Sequence, residues 1–463
     1  MQTCRISLLF TLIGLFFLPL CSAVEVSPLP EFSKDDKVLI LAPHPDDEAI
    51  GTGGVIQRAL KVGAKVKVCC FTNGDHNEVA FIVYEKRFTI RQREFIHMGE
   101  VRRKETIKAL TFLGLNREDI IFLGYPDFGT MEILTKYWGN DKPFRGLLTR
   151  ISHVPYAECL SPGAPYAGKS ILRDLEDILL YYKPNKIFVS HPTDKNRDHR
   201  SLYLFLNIAL WDLDKKIDRP EVYPYIIHVI GWPKPHGYHP ELGLFPPDKL
   251  INNEISWRKL DLTDEEIKVK NEIINFYQSQ IKADPPYLFT FARKNELFGD
   301  YSVIDLEDTP TGEEINWYDV SPPPPKDKEG EISPDLEKDQ GEEYISRLFY
   351  ASKDKELYIK VIPKIKIGKA LGISVFLLGY NKKTDFALMP KILLIADSGG
   401  LRIKDKKTTL FIKNVGLIYE GNIAIIRIPL SVLGNPEYIL SCVRPRVASG
   451  LPLDDTAWRI LRL

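Results

Sequence analysis

At 463 residues the chain exceeds what one ordinary core accommodates, so two domains are expected. Lys plus Arg and Asp plus Glu are both 62, which leaves no net field to draw the protein toward nucleic acid, anionic lipid or an acidic polymer; a partner must be recognised at a local site. A hydrophobic content of 44% with 27% charged residues is that of a globular protein, and 21 Tyr with 33 Pro suggest long, ordered loops.

Residues 1–23 read as a signal peptide: Arg5 supplies a positive start, Ile6 to Leu20 is almost wholly apolar, and Cys21-Ser22-Ala23 ends in small residues. The apolar run is shorter than the ~20 residues that span a bilayer, and Lys34 to Lys37 follow with no stop-transfer pattern. The expectation is export to a periplasmic or extracellular location, with no transmembrane segment after cleavage. Bulky Leu20 before Cys21 argues against lipid modification. The cysteines then remaining, Cys69, Cys70, Cys159 and Cys442, have no CxxC-type spacing and predict neither a cysteine metal site nor a disulfide framework.

From Lys37 short apolar runs alternate with amphipathic stretches, which predicts βαβ units and a mostly parallel α/β sheet with helices on both faces. Strands are expected at Lys37–Ala42, Lys65–Thr72, Ile120–Gly124, Lys186–Ser190 and Val222–Ile230, and helices at Asp47–Val62, Val101–Leu113, Ser170–Tyr182 and Asp198–Trp211. Phe128 to Lys169 lacks periodicity and reads as a long functional loop whose Tyr137, Trp138, Tyr156 and Tyr166 suit sugar faces. Residues 34–318 are assigned to this domain. Residues 319–341, four consecutive prolines followed by dense charge, are a linker. Residues 342–463 carry short β-rich segments, among them Leu357–Val361, Ile373–Leu378, Lys391–Ile395, Thr409–Ile412, Ile423–Ile428 and Tyr438–Arg444, which predict an all-β sandwich domain with a possible carbohydrate-binding role.

The chemistry concentrates at two strand ends. Val38 to Ala42 leads into Pro43-His44-Pro45-Asp46-Asp47-Glu48, and Phe188-Val189-Ser190 leads into His191-Pro192-Thr193-Asp194-Lys195-Asn196-Arg197-Asp198-His199. In an open parallel sheet ligands bind beyond the carboxyl ends of the strands. Packed carboxylates there raise one another's pKa unless a cation absorbs their charge. Three His and carboxylate ligands with one position left open define a catalytic zinc site, and His44, Asp47 and His199 supply that set. Gly51, Gly53 and Gly54 fall inside the following helix rather than in the tight turn, which excludes a dinucleotide fingerprint and suggests close helix–sheet packing.

These residues resemble the PIG-L/LmbE-like family of zinc-dependent N-acetylglucosaminyl deacetylases. The matching pieces are His44-Pro45-Asp46-Asp47-Glu48, Thr72-Asn73-Gly74-Asp75, Arg102-Arg103-Lys104-Glu105, Leu123-Gly124-Tyr125-Pro126-Asp127 and the His191 to Arg200 segment. They span about Lys37 to Phe298. The resemblance implies a Rossmann-like fold, a Zn2+ cofactor held by His44, Asp47 and His199, and Asp46 as general base. It implies Asp198 as the residue orienting His199, and Arg102 and Asp127 as contacts to an N-acetylated sugar. The expected function is metal-dependent removal of an N-acetyl group from an N-acetylglucosamine-containing glycan or glycoconjugate. The alternatives are a glycan-binding protein of the same fold that has lost turnover and an amidase for another N-acylated small molecule. Many members carry a His three residues before the last ligand, where this chain has Asn196. Asn can donate to an oxyanion but cannot deliver a proton. His228, expected on a strand near a sheet edge, is the candidate replacement acid, with His191 second.

Overall fold

The computed structural model describes residues 25–76, 91–252, 254–321, 344–364, 367–368, 371–447 and 455–463. The expected leader at 1–23 and nearly all of the expected linker lie outside the described residues. Among the described residues no helix is long and apolar enough to cross a membrane.

The first unit is an α/β layer structure. Its strands are β1 (Val26–Pro28), β2 (Lys37–Ala42), β3 (Lys65–Thr72), β4 (Ile120–Tyr125), β5 (Lys186–Ser190), β6 (Glu221–Tyr225), β7 (Ile255–Asp261) and β8 (Asn295–Tyr301). They form one sheet in the order β1-β7-β8-β6-β5-β2-β3-β4, parallel throughout from β6 to β4, with antiparallel pairings where β8 joins β6 and β7. Its helices are α1 (Asp47–Lys61), α2 (Gln92–Phe112), α3 (Thr130–Lys136), α4 (Gly168–Tyr182), α5 (Arg197–Asp212), α6 (Asp264–Ile274) and the short α7 (Gln278–Ile281). They fall into two packing groups, α1 and α2 against α6 and α3 and α4 against α5, as a sheet covered on both faces requires. β2 is buried from Val38 to Ala42 without alternation, the signature of a central strand covered on both sides. Chain order reverses between β2 and β5, so the loops after these neighbours flank a topological switch point.

Close contact between α1 and the sheet depends on its glycines. A Cβ at Gly51 would stand 2.6 Å from the Tyr225 ring, and one at Gly54 would stand 2.4 Å from Leu262. Glu296 on β8 reaches the same stretch, accepting the backbone N–H of Gly54 (2.7 Å) and of Val55 (3.0 Å) while paired with fully buried Lys270 at 2.6 Å.

Two local expectations shift. The strand predicted to run to Ile230 stops at Tyr225. The Asp194 carboxylate takes the N–H groups of Ile227 (3.1 Å) and His228 (2.9 Å), which turns the backbone away from the sheet. The long aromatic loop contains α3, and Trp138, Tyr156 and Tyr166 are buried in it rather than offered to a ligand. Trp138 packs on Phe205 and Phe386, and the Tyr156 hydroxyl donates to Asp75 at 2.7 Å. These aromatics hold the loop down.

The second unit contains β9 (Ile304–Asp305), β10 (Asp308–Thr309), β11 (Tyr318–Asp319), β12 (Ile345–Lys353), β13 (Glu356–Pro363), β14 (Leu371–Tyr380), β15 (Lys391–Asp397), β16 (Gly400–Asp405), β17 (Thr408–Leu410), β18 (Gly416–Glu420), β19 (Ile423–Pro429), β20 (Tyr438–Val447) and β21 (Arg459–Arg462). One sheet runs β10-β12-β13-β19-β18 with β11 on β12, the other β17-β16-β15-β14-β20-β21-β9. Leu357, Ile359 and Ile426 of the first and Ile373, Val375 and Val443 of the second share one apolar cluster. Because β9 pairs with β21 and both β10 and β11 pair with β12, residues 304–319 belong structurally with the C-terminal sheets, ahead of the boundary expected at 318.

The two units are packed rather than strung together. Trp211 on α5 stacks on Tyr438 at 4.6 Å, Arg200 pairs with Asp455 at 3.2 Å, and Phe376, Leu378, Phe386 and Trp458 join the apolar cluster of the α/β unit.

Candidate active site

The loop after β2 and the first turn of α1 carry His44 to Glu48, and the loop after β5 with the first turn of α5 carries Asp194 to His199. Three atoms converge where they meet. His44 Nδ1 is 3.2 Å from Asp47 Oδ2, His199 Nε2 is 3.1 Å from the same oxygen, and the two ring nitrogens are 3.2 Å apart. All three side chains are nearly or fully buried.

Each ring is fixed from its far side. Asp127 Oδ1, in the loop after β4, lies 3.2 Å from His44 Nε2, and Asp194 Oδ2 lies 3.2 Å from His199 Nδ1. A proton on each of these far-side nitrogens, next to its carboxylate, would leave His44 Nδ1 and His199 Nε2 as lone-pair donors toward Asp47. Three such donors cannot be packed this closely without a shared proton or cation. A tetrahedral zinc site with ~2.0–2.1 Å bonds separates neighbouring donors by about 3.3 Å, so the set fits a divalent ion. Asp194, His199 and His228 form a second compact group, as do His44, Asp127 and Asp198.

Electrostatics agree. Burial alone would lower His44 and His199, but Asp127 raises the first well above the usual imidazole range and Asp194 with Asp47 raises the second to about 9. Burial would raise Asp47, and His199 and His44 more than offset it, holding that carboxyl well below its usual range. Burial, with help from Asp47 and Glu48 and against Arg102, pushes Asp46 up to about 8. The protein thus builds a buried pocket of excess negative charge that a proton or metal cation must neutralise.

Asp46 is held in an unusual backbone conformation, φ 122°, which non-glycine residues rarely adopt and which costs on the order of 1–3 kcal/mol. Glu48 Oε2 accepts its N–H at 3.0 Å, and the Tyr277 hydroxyl holds Glu48 Oε1 at 2.6 Å. Arg102 closes the loop from α2, donating to Pro45 O (2.8 Å), Gly74 O (3.1 Å) and Asp46 Oδ2 (3.2 Å). Gly74 makes that approach possible, since it has φ +65° and a Cβ there would lie 2.0 Å from the guanidinium.

The structure gives each of the remaining expected site residues a protein partner. Arg102 is buried and donates to the loop and to Asp46. Asp127 Oδ1 lies beside His44 Nε2. Asp198 does not orient His199: it accepts the N–H groups of Phe128 (2.6 Å) and Thr130 (3.2 Å) and the Thr130 hydroxyl, with one oxygen 3.5 Å from His44 Nε2. The orienting carboxylate is Asp194. It stands in the His-Pro-Thr-Asp run that carried the family resemblance, and its spacing from His199 gave no sign of a contact made by the loop folding back. Asn196 caps α5, its Oδ1 accepting the Asp198 N–H at 2.9 Å, which is a structural use of its carbonyl.

His228 lies in the loop beyond β6, an interior strand rather than an edge. Its Nδ1 is 3.0 Å from Asp194 Oδ1, its ring stands edge-on to His199 with centroids 4.6 Å apart, and its side chain is 33% exposed. His191, by contrast, is fully buried and stacked on Trp257. Its Nδ1 accepts the Thr193 N–H at 3.1 Å, and burial lowers it to about 3, so it stays neutral and out of reach.

Residues 39–210 match the family model described as GlcNAc-PI de-N-acetylase, PIG-L, a segment that holds every member of the converging trio. This segment is a PIG-L family domain. Over 168 residues the chain is 30% identical to 1D-myo-inositol 2-acetamido-2-deoxy-alpha-D-glucopyranoside deacetylase 1 of Catenulispora acidiphila, covering 35% of this chain and 46% of that relative. The chain therefore spans about half the length of the curated relative that it matches. Among solved structures, N,N'-diacetylchitobiose deacetylase from Pyrococcus horikoshii aligns with a TM-score of 0.35 at 21% identity, over 57% of this chain and 84% of that one. The A40926 pseudoaglycone deacetylase aligns with a TM-score of 0.37 at 17% identity, over 58% and 99%.

Proposed function

We propose that the PIG-L domain is a divalent-metal hydrolase that removes the N-acetyl group from an N-acetylglucosamine-containing glycan or glycoconjugate. The carrying observation is the convergence of His44 Nδ1, Asp47 Oδ2 and His199 Nε2 within 3.2 Å of one another. The acetamido sugar named for the curated relative supplies the substrate class. Zinc suits the His/His/Asp donor set best, though manganese, iron or cobalt can occupy such sites. A bound cation supplies Lewis acidity, acidifying water and polarising the amide carbonyl. Asp46 takes the proton from the attacking water, positioned by Arg102 and by the Glu48 brace on its backbone. Asp127 and Asp194 keep the two imidazoles in their ligating tautomers. His228, tethered by Asp194, delivers a proton to the leaving nitrogen as the amide C–N bond breaks, giving acetate and the free amine.

Extracytoplasmic glycans are the substrates this proposal favours if residues 1–23 act as the leader expected from their sequence. The C-terminal unit, read as a β-sandwich from its two sheets around one apolar cluster, is part of the enzyme body in this proposal. The second reading, a glycan-binding protein without turnover, is favoured by Asn196 alone. Acetate release from N-acetylglucosamine oligomers separates the two. Turnover that disappears with a chelator, returns with zinc and is lost in Asp46→Asn supports the hydrolase. Tight oligomer binding by metal-loaded protein with no acetate supports the binder.

A further inference from the structure

Where the two units meet, a cavity of about 180 Å³ opens beside His228. One wall comes from the α/β unit, with Val229, Ile230 and Leu250, and the other from the C-terminal sheets and the chain entering them, with Val320, Ile345 and Leu348. Four of the charged groups at its margin are paired with one another within the protein. Arg200 pairs with Asp455 at 3.2 Å, and Arg459 pairs with Glu254 at 2.7 Å while lying over the Tyr301 ring at 4.3 Å. What remains is a chamber whose open surface is mainly apolar, with polar side chains such as Lys195, Lys249 and Tyr344 at its margin and the one-third-exposed imidazole of His228 on the wall shared with the candidate site.

We propose that this chamber is a subsite for an apolar aglycone, a hydrocarbon or aryl group attached to the amine-bearing sugar, and that the C-terminal unit exists in part to complete it. The inference rests on the proposed role of His228. The group protonated by His228 is the leaving amine, so whatever extends past His228 into the chamber is joined to the sugar side of the scissile amide rather than to the acyl side. Paired charges along the margin disfavour an anionic or cationic extension, because a charged group would have to compete with existing partners while losing its own hydration. An apolar one loses only its contact with water, and each buried methylene strengthens binding by roughly fourfold.

The test is calorimetric binding of methyl and hexyl N-acetylglucosaminides to zinc-loaded full-length Asp46→Asn protein, together with acetate release by the unaltered enzyme. Hexyl glycoside binding at least about tenfold tighter than methyl supports the subsite. Ile230→Asp, a change at a partly exposed wall position, should bring the ratio close to one, and Leu348→Ala on the opposite wall should lower it. Each variant's far-ultraviolet spectrum and melting curve guard against misfolding. Equal affinity for the two glycosides, or a ratio unmoved by both substitutions, overturns the subsite. Preferential hexyl binding without acetate release from either glycoside supports the subsite and removes the hydrolase reading instead.

Discussion

Asp194 holds two imidazoles with one carboxylate, placing Oδ2 3.2 Å from His199 Nδ1 and Oδ1 3.0 Å from His228 Nδ1. It also receives the backbone N–H groups of Ile227 and His228, so the loop that presents His228 is folded around it. Asp194→Asn retains the shape but removes the charge that sets both tautomers. Metal affinity should fall roughly 10–100-fold, with a comparable loss of acetate release. Competition with a chromophoric chelator measures the first, and an unchanged affinity would rule out Asp194 as the residue orienting His199.

His228 and Asn196 can be told apart by substitution. His228→Ala should lower kcat by about 10²–10⁴ with zinc retained, the range expected for losing a positioned general acid. Asn196→Ala removes a helix cap and should cost about 1 kcal/mol of stability while most activity survives. The opposite pattern, a dead Asn196 variant beside an active His228 variant, would return the proton-transfer role to the position where other family members carry His.

Gly51→Ala inserts a methyl 2.6 Å from the Tyr225 ring, at the start of the helix that carries Asp47. The resulting overpacking should destabilise the fold by about 1–3 kcal/mol and tilt α1, so that activity falls more than stability alone accounts for. Thermal melting and kcat on the same preparation check this. A variant with full activity would mean that the helix position is looser than the contact implies.

Acid stability should depend on His191. Its folded-state pKa is lowered to about 3 by burial, below the ordinary 6.5, so the unfolded chain binds the proton more readily. The stability it preserves is complete above pH 6.5 and drains away as the pH falls toward 3, by up to a few kcal/mol on the order expected from such linkage. His191→Gln should flatten the decline in denaturant midpoint between pH 6.5 and 4. Parallel profiles for the two proteins would show that the buried imidazole does not drive it.

Much of this was legible in the residues. β2, β3 and β5 fall where the apolar runs place them, because fully covered parallel strands write themselves as unbroken hydrophobic stretches. The His44–Glu48 turn stood out for the opposite reason, a packed set of acids and a His directly after such a run. β7 and β8 went unseen since Ser256, Arg258, Lys259, Glu296 and Asp300 interrupt their apolar pattern. The polarity of Glu296 makes sense only once α1 and Lys270 are packed against it. Asp194, Arg102 and Asp127 illustrate the other limit. Spacing along the chain shows which residues share a loop, but not which oxygen turns toward which ring.

The stacking of Trp211 on Tyr438 and the apolar cluster that runs across both units have a thermodynamic corollary. Neither half can melt while the other stays intact, because the face laid bare would be core rather than surface. Calorimetry should record a single cooperative transition, and a chain cut after residue 303 should aggregate rather than survive as a minimal catalyst. The C-terminal unit is, in folding terms, inseparable from the α/β unit.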